Sequence, residues 1–260
     1  MKKLVFTLAT CCIMCACEQK TETNPFFTEF RTEYGAPDFD KIKIEHYEPA
    51  FLKGIEEQNA EIKAIVESRE TPGFENTIVA LDNSGRTLAR VKGVFYALTE
   101  ADTNDEMSAL SEKIAPVLSE HNDNIYLNQD LYKRVAAVWQ QEQEGKITLT
   151  TEQHRLLDKY YKAFIRSGAG LDAGKQNRLR EINKELSTLA ITFSNHVLNE
   201  NNAYRLVIDN EAELAGLPEW VKTGAAEEAK AVGKEGKWLF TLQNSSRLPL
   251  LQYADNRELR

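Results

Sequence analysis

The chain has 260 residues, 42% of them hydrophobic and 28% charged, with 32 Lys and Arg against 40 Asp and Glu for a net charge of -8. That apolar fraction excludes wholesale disorder, and 13 Gly with 7 Pro exclude a collagen-like or Pro-rich architecture. Nucleic-acid binding is excluded too, because phosphate affinity comes from clustered Lys and Arg and no basic run here exceeds a dipeptide.

The first element is an export signal. Lys2 and Lys3 precede an apolar run from Leu4 to Ala16, too short to span a bilayer, and all four cysteines (Cys11, Cys12, Cys15, Cys17) fall within the first seventeen residues. Met14-Cys15-Ala16-Cys17 resembles a bacterial lipobox, so residues 1–16 are expected to be a lipoprotein-type signal peptide and Cys17 the lipidated residue. Several acyl chains on that thiol and its new amine would anchor far more firmly than one. The alternative is an ordinary cleaved signal whose cysteines serve as small apolar residues. Loss of Lys2 and Lys3 leaves 30 basic against 40 acidic residues, a net charge of -10. No cysteine follows Cys17, so an internal disulfide and a Cys/His nucleophile are both excluded from the processed chain.

Residues 17–24 read as a polar tether, and the folded part is expected from 25 to 260. Residues 26–44 hold Phe26, Phe27, Phe30, Tyr34 and Phe39 with no regular period, as an extended lead-in pinned by aromatics. Beyond Glu45 the hydrophobic period is helical. Phe51, Ile55, Ile62, Ile65 and Val66 predict a helix over 45–69, stopped by Thr71-Pro72-Gly73. Phe74 through Leu98 predict a second, to about Ala101, with Gly85 and Gly93 as tolerated small residues or points of close approach. Leu110, Ile114, Val117 and Leu118 predict a third, capped by Asn104 and kinked at Pro116. Leu131, Val135, Val138 and Trp139 predict a fourth. Leu156, Leu157, Tyr160, Phe164 and Ile165 predict a fifth, ending at Ser167-Gly168.

The sixth, about 172–201, carries Leu179, Ile182, Leu186, Leu189, Phe193 and Val197 at steps of three and four, a nearly heptad stripe that requires a partner helix. Residues 204–209 and 237–243 are β-rich and predict a small two-stranded ribbon, separated by a helix from Pro218 to Gly233. The stretch from Asp255 to Arg260 reads as an N-cap at Asp255 and one helical turn, which does not stand alone, so the chain is expected to be the front part of something longer.

The residues offer little chemistry. His46, His121, His154 and His196 fit no metal-ligand motif. His196 and Glu200, at i and i+4, are a metal pair without a third ligand. Glu45-His46 and Glu120-His121 are adjacent and face apart, so a cap or solvated turn is the expected role of each. No G-x-S-x-G occurs. Gly168-Ala-Gly-Leu-Asp-Ala-Gly174 follows a helix and is read as a helix-to-helix turn rather than a phosphate loop. Tyr160, Tyr161 and Phe164 sit at core spacing rather than as a stacking platform.

Several runs carry a resemblance that this chemistry does not. They are Tyr34 to Phe51, Pro72 to Ile78, Ala101 to Asn104, Ile125 to Asn128, Arg166 to Leu171, Leu214 to Pro218, Gly236 to Gln243 and Tyr253 to Arg260. Together they resemble the amino-terminal part of peptidyl-dipeptidases in the thimet oligopeptidase and oligopeptidase A family of zinc metallopeptidases. The resemblance implies a mainly α fold, the multi-helix amino-terminal lobe of a two-lobed, channelled enzyme, with the catalytic lobe beginning about 255. It implies Zn2+ in the full-length parent, held by H-E-x-x-H and a later glutamate. This sequence contains no such motif, so no residue is assigned as catalytic or as a zinc ligand and the 260 residues alone are expected to be inactive and zinc-free. Short unfolded peptides are the expected substrates, the full-length parent a monomer, and the location the cell envelope, lipid-anchored. The alternative is a non-catalytic peptide-binding envelope lipoprotein.

Overall fold

The computed structural model describes residues 23–260; the export signal expected over residues 1–16, the expected lipidation site Cys17 and the part of the expected tether before Thr23 lie outside the described residues. The chain enters through Asn24, whose side-chain oxygen accepts from the Phe26 amide at 3.1 Å and whose amide donates to the His46 carbonyl at 2.7 Å. Phe26 is fully buried, and Arg90 donates to its carbonyl at 2.9 Å. Of its five aromatics, only Phe26 and half-buried Phe30 pin the lead-in, since Phe27, Tyr34 and Phe39 are exposed. That corrects the expectation that all five aromatics hold it down.

The helices follow the apolar period. They are α1 (Ile44–Glu67), a π-helical turn (Phe74–Val79) running into α2 (Ala80–Asp82), then α3 (Arg86–Ala101), α4 (Asp105–Tyr126), α5 (Gln129–Gln143), α6 (Thr151–Arg166) and α7 (Ala173–Ala203). Caps fix their starts. Asn104 accepts from the Met107 amide, Asn128 from the amides of Asp130 and Leu131, Thr150 from Gln153, and Asp172 from Lys175. The predicted second helix is broken. Gly85 adopts a φ of +73°, its amide donates to Glu61 at 2.7 Å, and the chain restarts as α3. A left-handed glycine ends a helix even when the apolar stripe continues through it.

Two cores share α1. Its first half packs with the lead-in, α3 and the start of α4 around Phe26, Tyr47, Phe51, Val91 and Phe95. Its second half packs with α5, α6 and the end of α4 around Ile62, Ile78, Leu131, Val135, Leu157 and Phe164. The close approach of α1 and α3 falls at Gly54, where a Cβ would meet the Leu88 backbone nitrogen at 2.7 Å. Gly93 has open space around it and plays no such part.

After α7 the chain builds a third core. Strands β1 (Leu206–Ile208) and β2 (Trp238–Phe240) pair antiparallel, with Leu206 opposite Phe240 and Ile208 opposite Trp238. Helices α8 (Glu219–Ala231) and α9 (Asn244–Tyr253) close over them around Ile208, Leu214, Val221, Phe240 and Leu250. The ribbon is shorter than the two β-rich runs, and it stands by leaning on α8. The cap of the final turn is Asn256, which accepts from Glu258 and Leu259, and not Asp255, whose amide donates to Ala215. The fold is mainly α, as the sequence predicts.

Candidate functional site

Among the described residues, no group of three or more His, Cys, Asp or Glu side chains comes together to hold a metal ion. No catalytic step is assigned to residues 23–260. The individual histidines divide by environment. His46 caps α1, its Nδ1 accepting from the Lys43 amide at 3.1 Å. His154 pairs with Glu142 at 2.7 Å on the surface. His196 and Glu200 are exposed on α7 and lack a third ligand. Gly168, at φ +91°, turns the chain from α6 to the Asp172 cap of α7, as a helix-to-helix turn requires. Tyr161 stacks on Trp139 at 4.4 Å, Phe164 lies fully buried against Tyr126, and the Tyr160 hydroxyl donates to Asp82. These aromatics pack, and none forms an open platform.

His121 is a correction. It is buried at the joint of α1, α3 and α4, not in a solvated turn. Its Nε2 lies 2.7 Å from Gln58 Oε1, so that nitrogen carries the proton; Gln58 in turn donates to Ser84, which donates to the Leu81 carbonyl. Nδ1 is buried without a partner. Burial, helped by the Lys92 ammonium, holds the imidazole below its usual range. The chamber has a volume of about 190 Å³, and the one hydrogen bond of the imidazole goes to the amide of Gln58, so it suits a structural joint better than proton transfer.

The candidate functional surface is built by α4 and α7. Thirty-one residues at 1.5 Å each make α7 about 46 Å long. It rests on α4 through its polar side. Asn183 donates to Asp123 at 2.7 Å, Arg180 to Asn124 at 2.9 Å and Asn195 to Glu112 at 2.8 Å. Asp123 is buried, and desolvation raises its pKa, opposed by the Asn183 bond and the Arg180 charge. Near the start of α4 the two helices leave a groove of about 380 Å³ lined by Thr103, Ser108, Asn195, His196, Asn199 and Asn202. Amides and hydroxyls at that spacing can bond an extended peptide backbone.

The described residues thus form a mainly helical body with a long helix and shallow grooves. Dipeptidyl carboxypeptidase of Escherichia coli (strain K12) is 39% identical over 240 residues, which is 92% of this chain and 35% of that protein. Its counterpart in Salmonella typhimurium is 40% identical over 238 residues, 92% of this chain and 35% of that protein. Oligopeptidase A of Escherichia coli is 32% identical over 238 residues, 92% of this chain and 34% of that protein. No protein-family profile matches the chain. Over almost its whole length, the chain belongs to the thimet oligopeptidase and oligopeptidase A family that its motifs resemble. It spans about a third of the length of the curated relatives it matches.

Proposed function

We propose that these residues form the amino-terminal, channel-wall lobe of a zinc metallopeptidase that releases dipeptides from the carboxyl end of oligopeptides. The observation that carries this reading is the similarity over 92% of the chain, which runs at 39% with a dipeptidyl carboxypeptidase and 32% with oligopeptidase A and so favours the dipeptide-releasing branch. The lobe contributes shape. Its grooves admit short unfolded peptides, and its bulk keeps folded proteins from the reacting centre; zinc, held by other residues of the parent, would polarise the attacking water. The parent enzyme works outside the cytoplasm, tethered to the envelope by acyl chains on Cys17.

Two experiments test this. The 260-residue chain is incubated with zinc and an amino-blocked pentapeptide, alone and after co-expression with the remainder of Escherichia coli dipeptidyl carboxypeptidase. Chelator-sensitive dipeptide release by the pair, and none by the chain alone, is the expected result; hydrolysis by the chain alone overturns the division of labour. Growth with labelled palmitate tests the anchor, and label that persists in Cys17→Ser overturns it. The amide-lined groove of α4 and α7 favours a second reading, capture of peptides without cleavage. Pentapeptide binding by the chain alone, lost on Asn199→Ala with Asn202→Ala, would support it.

A further inference from the structure

Helix α7 is inside out. Amphipathic helices bury the apolar stripe and show the polar one to water. Here the polar side, through Arg180, Asn183 and Asn195, is the side bonded to α4, and α7 contributes no buried residue to the fold. The stripe of Ile182, Leu186, Leu189, Phe193 and Val197 faces away, at 37, 56, 53, 69 and 43% exposure. Five large apolar residues in one continuous row over four turns are a contiguous patch, not the scattered exposure that needs no cause. Steps of three and four along that row form the seam into which the knobs of one facing helix fit.

We infer that the exposed face of α7 is the seat of an amphipathic helix from the remaining two thirds of a family-length protein, laid along the Ile182 to Val197 row. The inference rests on the reading of this chain as part of such a protein. The relatives supply the occupant: each carries about twice as much chain again beyond the part matched here. The charges agree with an occupant whose contact is apolar. Glu181 and Glu185 flank the row and Glu200 ends it, while no charged residue interrupts it between Leu186 and Val197. The polar bonds to α4 then fix α7 in position, and the apolar face is left for the partner.

The test uses the double variant Leu186→Lys with Phe193→Lys. Both side chains are exposed, so its thermal unfolding should match the parent chain. The tagged 260-residue chain, co-expressed with the remainder of Escherichia coli dipeptidyl carboxypeptidase, should retain it in equimolar amount, and the double variant should lose at least nine tenths of it. Equal retention by the double variant overturns the inference, as does a parent chain that retains nothing beside a soluble remainder. Sedimentation of the chain alone is the second measurement. A dimer that the double variant dissolves would assign the face to a second copy and overturn the inference as well. Binding of anilinonaphthalene sulfonate to the chain alone should fall at least twofold in the double variant, and unchanged binding overturns it even if the remainder proves insoluble. Retention without chelator-sensitive hydrolysis would instead sink the catalytic reading and leave this one standing.

Discussion

At the residue scale, space and charge set the outcomes. Gly54 and Gly93 both lie inside helices, yet they predict opposite effects. A methyl group at Gly54 would be driven into the Leu88 backbone, where α1 and α3 have no flexible side chain to yield. Gly54→Ala should therefore destabilise the chain by about 1–3 kcal/mol. Gly93→Ala meets nothing within 4 Å and relieves the unfolded-state entropy of glycine, so a gain of about 0.5–1 kcal/mol is expected. Urea denaturation of the two variants checks both signs.

His121 sets a pH dependence. Its imidazole is held below its usual value of 6.5 in the folded chain, so the unfolded chain takes up the proton first as pH falls. The groups nearby are Glu61 of α1, Asp82 of α2, Lys92 of α3, Tyr126 of α4 and Tyr160 of α6; Glu61 and Asp82 are already engaged with the Gly85 amide and the Tyr160 hydroxyl. Stability from His121 is thus fully present above pH 6.5 and is lost as pH falls through and below that value. Asp123, raised by burial, acts in the opposite sense at more acid pH, because its folded form binds a proton more readily. The difference between parent and His121→Gln isolates the histidine. The fall in melting temperature from pH 7.5 to 5 should flatten in the variant, and an unchanged slope would show that the joint does not sense acid.

At the element scale, the helices legible in the sequence are those in which one stripe meets one core. The stripe of Leu131, Val135 and Val138 lies wholly in the second core, and the spacing alone locates α5. Where periodicity fails, the cause is local. The apolar period runs unbroken across Gly85, so the break between α2 and α3 is visible only in the left-handed φ that the Glu61 bond to its amide accompanies. Pro249 inside α9 and the weak segregation of its faces conceal that helix. His121 is hidden by its neighbour Glu120, because a charged pair reads as solvated while only one of the two turns inward. For α7 the spacing reveals the stripe but not which side meets α4, since that choice was made by Asp123, Glu112 and their partners on another helix. The start of α7 should depend on its cap. Asp172→Ala should cost about 1 kcal/mol and speed amide exchange over the first turn, at Lys175 and Gln176, without altering exchange at the α4 contacts.

At the scale of the whole molecule, the three cores are two bodies of unequal size. The first two share α1 and draw on residues 26–169, whereas the third draws on residues 206–259. Helix α7 bridges them without burying a residue in either, so little apolar contact couples the melting of one to the other. A body of fewer than about 60 residues buries a smaller fraction of its surface and should melt first. Calorimetry of the chain should therefore show two transitions. Phe240→Ala should lower only the earlier one and Phe95→Ala only the later, each by the cost of a buried aromatic, about 3–5 kcal/mol. A single transition moved by both substitutions would mean that α7 couples the bodies and that the wall is complete in itself, the behaviour expected of a self-sufficient binding module. Two independent transitions fit a wall whose bridging helix is stiffened only when its bare face is covered, since the cover would then be the element that makes the two bodies unfold as one.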